Sequence, residues 1–143
     1  MATSTDPQDA TSAAGAEKLG FDREMVIQEF GYDDDVDHDL RSAIEDITGT
    51  DLVDEDYDDV TDGVVVWYRD GEDDLTDLLV DVQTVLDDGG AIWVFTPKPG
   101  RDGHVGHNDI QEAASTAGLH VTSTFPIARD WSATKLGTRG RGR

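Results

Sequence analysis

The sequence has no cysteine, which excludes a disulfide framework, a thiolate metal site and a cysteine nucleophile together. It is also poor in positive charge. Only 11 Lys and Arg stand against 32 Asp and Glu, a formal net charge of -21 at pH 7. A surface of that sign repels phosphate backbones, so no nucleic-acid partner is expected. No stretch approaches the ~18 consecutive apolar residues of a membrane span. The first twenty residues, built largely of Thr, Ser, Ala and Asp, lack the apolar segment of a secretory leader. The expectation is a cytoplasmic protein with no membrane partner, whose acidic surface is solvated and serves solubility or adaptation to salt.

What the sequence does have is concentrated between Gly63 and Lys98, GVVVWYRDGEDDLTDLLVDVQTVLDDGGAIWVFTPK. An apolar run, an acidic loop, an amphipathic segment, a Gly-Gly pair and a second apolar run follow in that order. This is the strand–helix–strand unit of a parallel sheet. Val64–Tyr68 and Ala91–Thr96 are apolar on both alternating faces, which suits central strands covered on both sides. Between them, Leu75, Leu78, Leu79, Val82 and Leu86 share one face of a helix from about Asp74 to Leu86, capped by Asp73 or Asp74 and broken by Gly89-Gly90.

The flanking segments extend the pattern. Met25–Phe30 reads as a first strand. Leu40, Ala43, Ile44 and Ile47 recur at helical spacing, with Asp37 placed to cap the start and Gly49 the end. Leu52-Val53 is a short apolar pair and a candidate second strand. Asn108 and Gln111 have the spacing of a capping box ahead of Ile110, Ala113, Ala114 and Ala117, with Gly118 as the stop. Leu119–Phe125 alternates as a strand, and Trp131–Thr138 reads as a last, edge strand. At 143 residues the chain fits one domain, since domains run to roughly 100–150 residues. The expected organisation is a disordered tail over residues 1–18, one domain over 19–136, and a short basic tail over 137–143. The fold class is α/β, a small Rossmann-like, mostly parallel sheet flanked by helices.

The strongest site candidate is the loop Thr96–Asn108, TPKPGRDGHVGHN. Lys98, Arg101, His104 and His107 gather there in a chain with few cations. The loop leaves the carboxyl end of a central strand, where open α/β sheets bind ligands, and it ends at a helix N-terminus, which favours anions. An anion site or a contact for a protein partner is one reading. A plain connecting loop, whose cations offset nearby Asp, is the other. Two histidines without cysteine do not close a zinc site, even with Asp102 or Asp109 added, so no metal is expected. Ser115, Ser123 and Ser132 lack the surroundings of a nucleophile elbow. The run DDDVDHD at Asp33–Asp39 lacks the glycine and terminal glutamate of a calcium loop.

The helix, then DDGGAIWVFTPK, then a helix ending in AGLH and a strand, resemble the C-terminal half of class I S-adenosylmethionine methyltransferases. The pieces LGF, MVIQEFGYDDDVDHDLRSAIE, VVVWYRD, TPKPGRDGH, DIQEAASTAGL and DWSATKL, spread over roughly Leu19–Leu136, are similar to an actinobacterial family defined as a domain of unknown function (number 3052). The methyltransferase resemblance implies S-adenosylmethionine as a cofactor, held by Glu29 and Gly31 after the first strand and by Asp54, or its neighbour Glu55, at the ribose position. The sequence departs from that pattern where it matters. The permissive glycine loop is reduced to Gly31, followed by Tyr32 and three carboxylates, a poor cradle for a cofactor.

The expectation is therefore a non-enzymatic Rossmann-like binding or regulatory domain that meets a protein or small anionic ligand through the loop at 96–108. A minimal S-adenosylmethionine-dependent methyltransferase is the alternative. A structural subunit of an oligomer is a third reading, with the oligomeric state left open.

Overall fold

In a computed structural model, which describes residues 15–71 and 74–138, five strands form one sheet and three helices cover it. The strands are β1 (Ile27–Phe30), β2 (Thr61–Trp67), β3 (Leu86–Pro97), β4 (Leu119–Pro126) and β5 (Trp131–Thr138). The helices are α1 (His38–Thr48), α2 (Leu75–Gln83) and α3 (His107–Thr116), each carrying the chain from one strand to the next. The strand order is β1-β2-β3-β5-β4.

The sheet is mixed, which corrects the mostly parallel expectation. β1, β2 and β3 run parallel, while β5 pairs antiparallel with both β3 and β4. The cause is local. Only residues 127–130 separate β4 from β5, too few for a crossover, so the chain must turn back on itself. The same hairpin slots β5 between β3 and β4. Trp131–Thr138 is thus an inner strand, with Trp131, Ala133 and Leu136 buried, and β4 is the edge.

Alternation along the central strands divides the core into two layers. On one face Val65, Trp67, Trp93 and Phe95 pack with Leu40 and Ile44 of α1. On the other Val64, Val66, Ile92 and Val94 pack with Leu75, Leu79 and Val82 of α2 and Ile110 and Ala114 of α3. Trp67 and Trp93 are core residues, as their setting implies.

Residues 15–18, grouped by composition with the N-terminal tail, are helical, and Ala16 lies in the first core layer beside Leu19 and Phe21. Gly137 and Thr138 belong to β5. The rest of the two expected tails, residues 1–14 and 139–143, falls outside the described residues, as does Asp73.

Caps account for three of the six helix boundaries. Asp37 accepts a hydrogen bond from the Leu40 N–H at 2.8 Å, and Gly49 closes α1 in the left-handed conformation. Asp74 caps α2 by accepting from the Thr76 N–H at 2.8 Å. α2 ends at Gln83 rather than at the glycine pair, because the chain is captured by the sheet at once: the Thr61 N–H donates to Val85 O at 2.8 Å. β3 then runs through Gly90, where a Cβ would stand 2.7 Å from Asp62 O, so close strand approach and not helix termination explains that glycine. α3 begins at His107 after Gly106, with no side-chain cap, so the Asn108–Gln111 spacing is not used as a capping box. Leu52-Val53 makes one isolated bridge, Gln28 to Val53, rather than a strand.

Candidate functional site

Gln28 of β1 pairs with Val53 on one edge and with Val64 of β2 on the other. The chain leaves β1, passes through α1 to Val53 on one side, and then crosses to the opposite side to form β2. Strand order therefore reverses at β1, and the carboxyl ends of β1 and β2 are where an open α/β sheet offers a crevice. An open cleft of about 660 Å³ lies there, lined by Phe30, Gly31, Glu55, Trp67, Tyr68, Asp74, Asp77, Leu78 and Asp81. A second, of about 460 Å³, lies beside it against Glu29, Tyr32, Arg41, Asp54, Glu55 and Asp56.

Glu29, Arg41, Arg69 and the Gly31 amide are partnered within the chain at this point, whereas Gln28 Oε1 is buried with no hydrogen-bond partner among the described residues. Glu29 is 5% exposed. Its carboxylate accepts from Arg41 Nε at 2.7 Å, from Arg41 Nη2 at 2.9 Å and from Trp67 Nε1 at 2.8 Å. The hydrogen bond to Glu29 is the chief cause that raises the Arg41 pKa above its ordinary value. The Arg41 guanidinium also stacks 4.8 Å from the centre of the half-exposed Tyr32 ring.

Gly31 has φ +79°, and a Cβ there would lie 2.2 Å from Trp67 O, so only glycine fits. Its N–H donates to Glu55 Oε2 at 2.8 Å. Its carbonyl accepts from Arg69 Nη1 at 3.0 Å, and the same nitrogen donates to Trp67 O at 3.1 Å. Arg69 further donates from Nε to Asp35 Oδ2 at 2.9 Å and lies 5.3 Å from the centre of the Trp131 ring. That hydrogen-bonded pairing with Arg69 holds the Asp35 carboxyl below its ordinary pKa. Trp131 Nε1 completes the knot by donating to Asp35 O at 3.3 Å.

Glu55, not Asp54, is the residue that reaches Gly31. Asp54 is occupied in shaping the turn: its Oδ1 accepts from the Asp56 N–H at 3.0 Å, and its carbonyl accepts from Gln28 Nε2, also at 3.0 Å. Gln28 Nε2 donates as well to Tyr57 O at 3.1 Å, so a fully buried side chain of β1 fixes both ends of the 54–57 turn.

The loop at 96–108 is tied to the β4–β5 turn. The Lys98 N–H donates to Asp130 O at 2.9 Å, and Arg101 Nη2 lies 2.7 Å from Asp130 Oδ1, at ion-pair distance without the angles of a hydrogen bond. Arg101 is exposed, and Lys98 is half-buried. His104 turns back on the loop, with Nδ1 2.9 Å from Pro97 O, and His107 is the exposed first residue of α3. Lys98 and Arg101 thus meet the same aspartate, and the two histidines take separate roles. Among the described residues no group of three or more His, Asp or Glu is arranged to hold a metal ion.

Sequence reasoning missed Arg69. Its signal was its place directly after the buried run VVVWY in a chain short of cations. Sequence reasoning names Glu55 only beside Asp54 for the ribose position, and its bond to Gly31 has no such signal, because carboxylates surround it on every side.

A family model described as a protein of unknown function (DUF3052) matches residues 16–140. The chain belongs to this family. Among its relatives are the uncharacterized proteins Rv2239c of Mycobacterium tuberculosis and Mb2263c of Mycobacterium bovis. Each is 50% identical over 121 residues, covering 85% of this chain and 76% of the relative.

Solved structures of similar fold include methyltransferases and a biosynthetic protein. The pyocyanin biosynthetic protein PhzM superposes with a TM-score of 0.66 at 12% identity, over 90% of this chain and 55% of that one. The O-methyltransferase NcsB1 of neocarzinostatin biosynthesis, solved with S-adenosylmethionine, gives 0.62 at 14% identity, over 91% and 56%. The ribosomal protein L11 methylase of Lactobacillus delbrueckii subsp. bulgaricus gives 0.55 at 14% identity, over 96% and 81%. The chain therefore spans little more than half the length of PhzM and NcsB1. At such identities these likenesses show the fold alone: this DUF3052 chain has a methyltransferase-like α/β fold with one mixed sheet. No helix among its described residues is long and apolar enough to cross a membrane.

Proposed function

We propose that this DUF3052 protein is a non-enzymatic binding or regulatory domain on a methyltransferase-like scaffold, meeting a protein or a small anion through the loop at 96–108. The observation that carries the reading is the closure of the β1 site. Glu29 is saturated by Arg41 and Trp67, and the Gly31 N–H is held by Glu55. S-adenosylmethionine does not fit that arrangement, because the two groups nearest the strand end are already satisfied and Tyr32 follows them directly. Lys98 and His107 support the loop as the contact surface, standing at its two ends in a strongly acidic chain.

Calorimetric titration with S-adenosylmethionine tests this. No heat of binding at hundreds of micromolar ligand is expected, and micromolar affinity would overturn the reading. One observation favours the alternative, a minimal methyltransferase: the cleft stands at the switch point of the sheet, and NcsB1, of similar fold, was solved with S-adenosylmethionine. For that alternative to hold, Glu55 must leave Gly31.

A further inference from the structure

We infer that Glu55 is a built-in latch, a carboxylate of the chain itself that occupies the Gly31 amide and keeps the cleft at the sheet end shut. The inference rests on the closed-site reading just given and goes beyond it by assigning the closure to one movable side chain.

Two features single Glu55 out. It borders both clefts, so it stands as the partition between them. Its carboxylate accepts from the Gly31 N–H at 2.8 Å, at the residue that directly follows β1. The other closing contacts are of a different kind. Glu29 is buried and bonded by two side chains, and Arg69 is held by two carbonyls and Asp35. Glu55 is exposed, and this one bond is what ties it to Gly31.

The turn that carries Glu55 need not move for the latch to open. Gln28 Nε2 grips Asp54 O and Tyr57 O from beneath, and the Tyr57 N–H donates to Asp54 O at 3.1 Å. With both ends of the turn pinned, rotation of the Glu55 side chain alone releases Gly31 and joins the two clefts into one groove. The groove so formed offers a backbone donor, the side chains of Tyr68 and Tyr32, and a rim of carboxylates. Its ligand class is a neutral or cationic ring-bearing compound with an acceptor atom for Gly31. A phosphate ester is excluded by like charge.

The test compares the full chain with Glu55→Ala, using adenosine, S-adenosylmethionine and adenosine monophosphate as probes in calorimetric titration. Amide hydrogen exchange at Gly31 is followed in parallel by NMR. Loss of a charge-assisted bond at a partly exposed site is expected to speed exchange at Gly31, and to tighten binding of the first two probes, by about tenfold or more. Adenosine monophosphate should remain the weakest-bound of the three in both proteins, because Asp74, Asp77 and Asp81 still line the cleft. Glu55→Gln keeps an acceptor oxygen without the charge, should fall between the two, and serves if the alanine variant folds poorly. Unchanged exchange at Gly31, absence of any gain for adenosine and S-adenosylmethionine, binding of the phosphate as tight as that of adenosine, or weaker binding in Glu55→Ala than in wild type would each overturn the latch. Tight binding by the wild type would instead overturn the closed-site reading, so the two failures are told apart.

Discussion

Glu29 and Arg41 form a two-pronged ion pair, Oε2 to Nε at 2.7 Å and Oε1 to Nη2 at 2.9 Å, beside the cleft at the carboxyl end of β1. A carboxylate that is 5% exposed has lost most of its hydration and depends on this partner and on Trp67 Nε1. Removing one member of such a pair leaves a buried charge uncompensated, which typically costs about 3–5 kcal/mol. Arg41→Leu is therefore expected to lose about 3 kcal/mol in urea denaturation, the lower end because Arg41 is 24% exposed and Trp67 stays bonded. A loss below about 1 kcal/mol, the range of surface pairs, would mean that Glu29 is free to meet a ligand.

Gly31 sets the distance between the ends of β1 and β2. A left-handed conformation costs a non-glycine residue roughly 1–2 kcal/mol. A Cβ here would also stand 2.2 Å from Trp67 O, a backbone atom that cannot rotate away. The strand ends must then part, which strains the Arg69 bonds to both carbonyls. Gly31→Ala is expected to destabilise by about 3 kcal/mol or more, the signature of a backbone clash at a special φ. Gly20→Ala is the control. It has a similar φ of +78° with no atom near the added Cβ, and should cost only the conformational part. Equal effects in thermal denaturation would refute the clash.

How much of this was readable from the sequence follows from which forces are local. The apolar runs Val64–Trp67 and Ile92–Phe95 announced central strands because burial on both faces is written in their composition. Asp37 and Gly49 announced the ends of α1 because caps act within a few residues. The place of β5 between β3 and β4 was not readable: Trp131–Thr138 looks like an edge until its pairing with both strands is known. The site divided the same way. Glu29 and Gly31 could be singled out by position, yet whether they are available depends on Arg41, Trp67 and Glu55. Those partners lie 12, 38 and 24 residues away, and no local pattern reports them.

Asp35 and Arg69 give a pH dependence whose sign is fixed. The Asp35 pKa lies below its ordinary value of 3.8, chiefly because Arg69 donates to its charged form. A group depressed in the folded state adds stability above its unfolded pKa and loses it as the pH falls through the folded one. The contribution is therefore full at neutral pH, declines below about pH 3.8, and is gone once Asp35 is protonated. Since Asp35 is 54% exposed, solvent screens the pair and the effect stays below about 1 kcal/mol. Asp35→Asn should be less stable than wild type by that amount at pH 7 and should match it near the acid limit. A gap that persists unchanged in acid would show that the contribution does not come from the ionised carboxylate of Asp35.

The loop at 96–108 yields a prediction in which stability and binding separate. Arg101 and Asp130 are 55% and 48% exposed, so their ion pair is worth no more than about 0.2–1 kcal/mol. The backbone bond from the Lys98 N–H to Asp130 O survives any side-chain change at Lys98. Lys98→Ala with Arg101→Ala should therefore melt within about 4–8 °C of wild type, the shift for ~1 kcal/mol in a small domain. The same double variant removes two of the loop's cations and should abolish capture of the anionic partner in a pull-down compared with wild type. Retained capture would shift the contact surface elsewhere. A large fall in melting temperature would show that these cations serve to offset Asp130 and its neighbours, leaving the loop a connection and not a site.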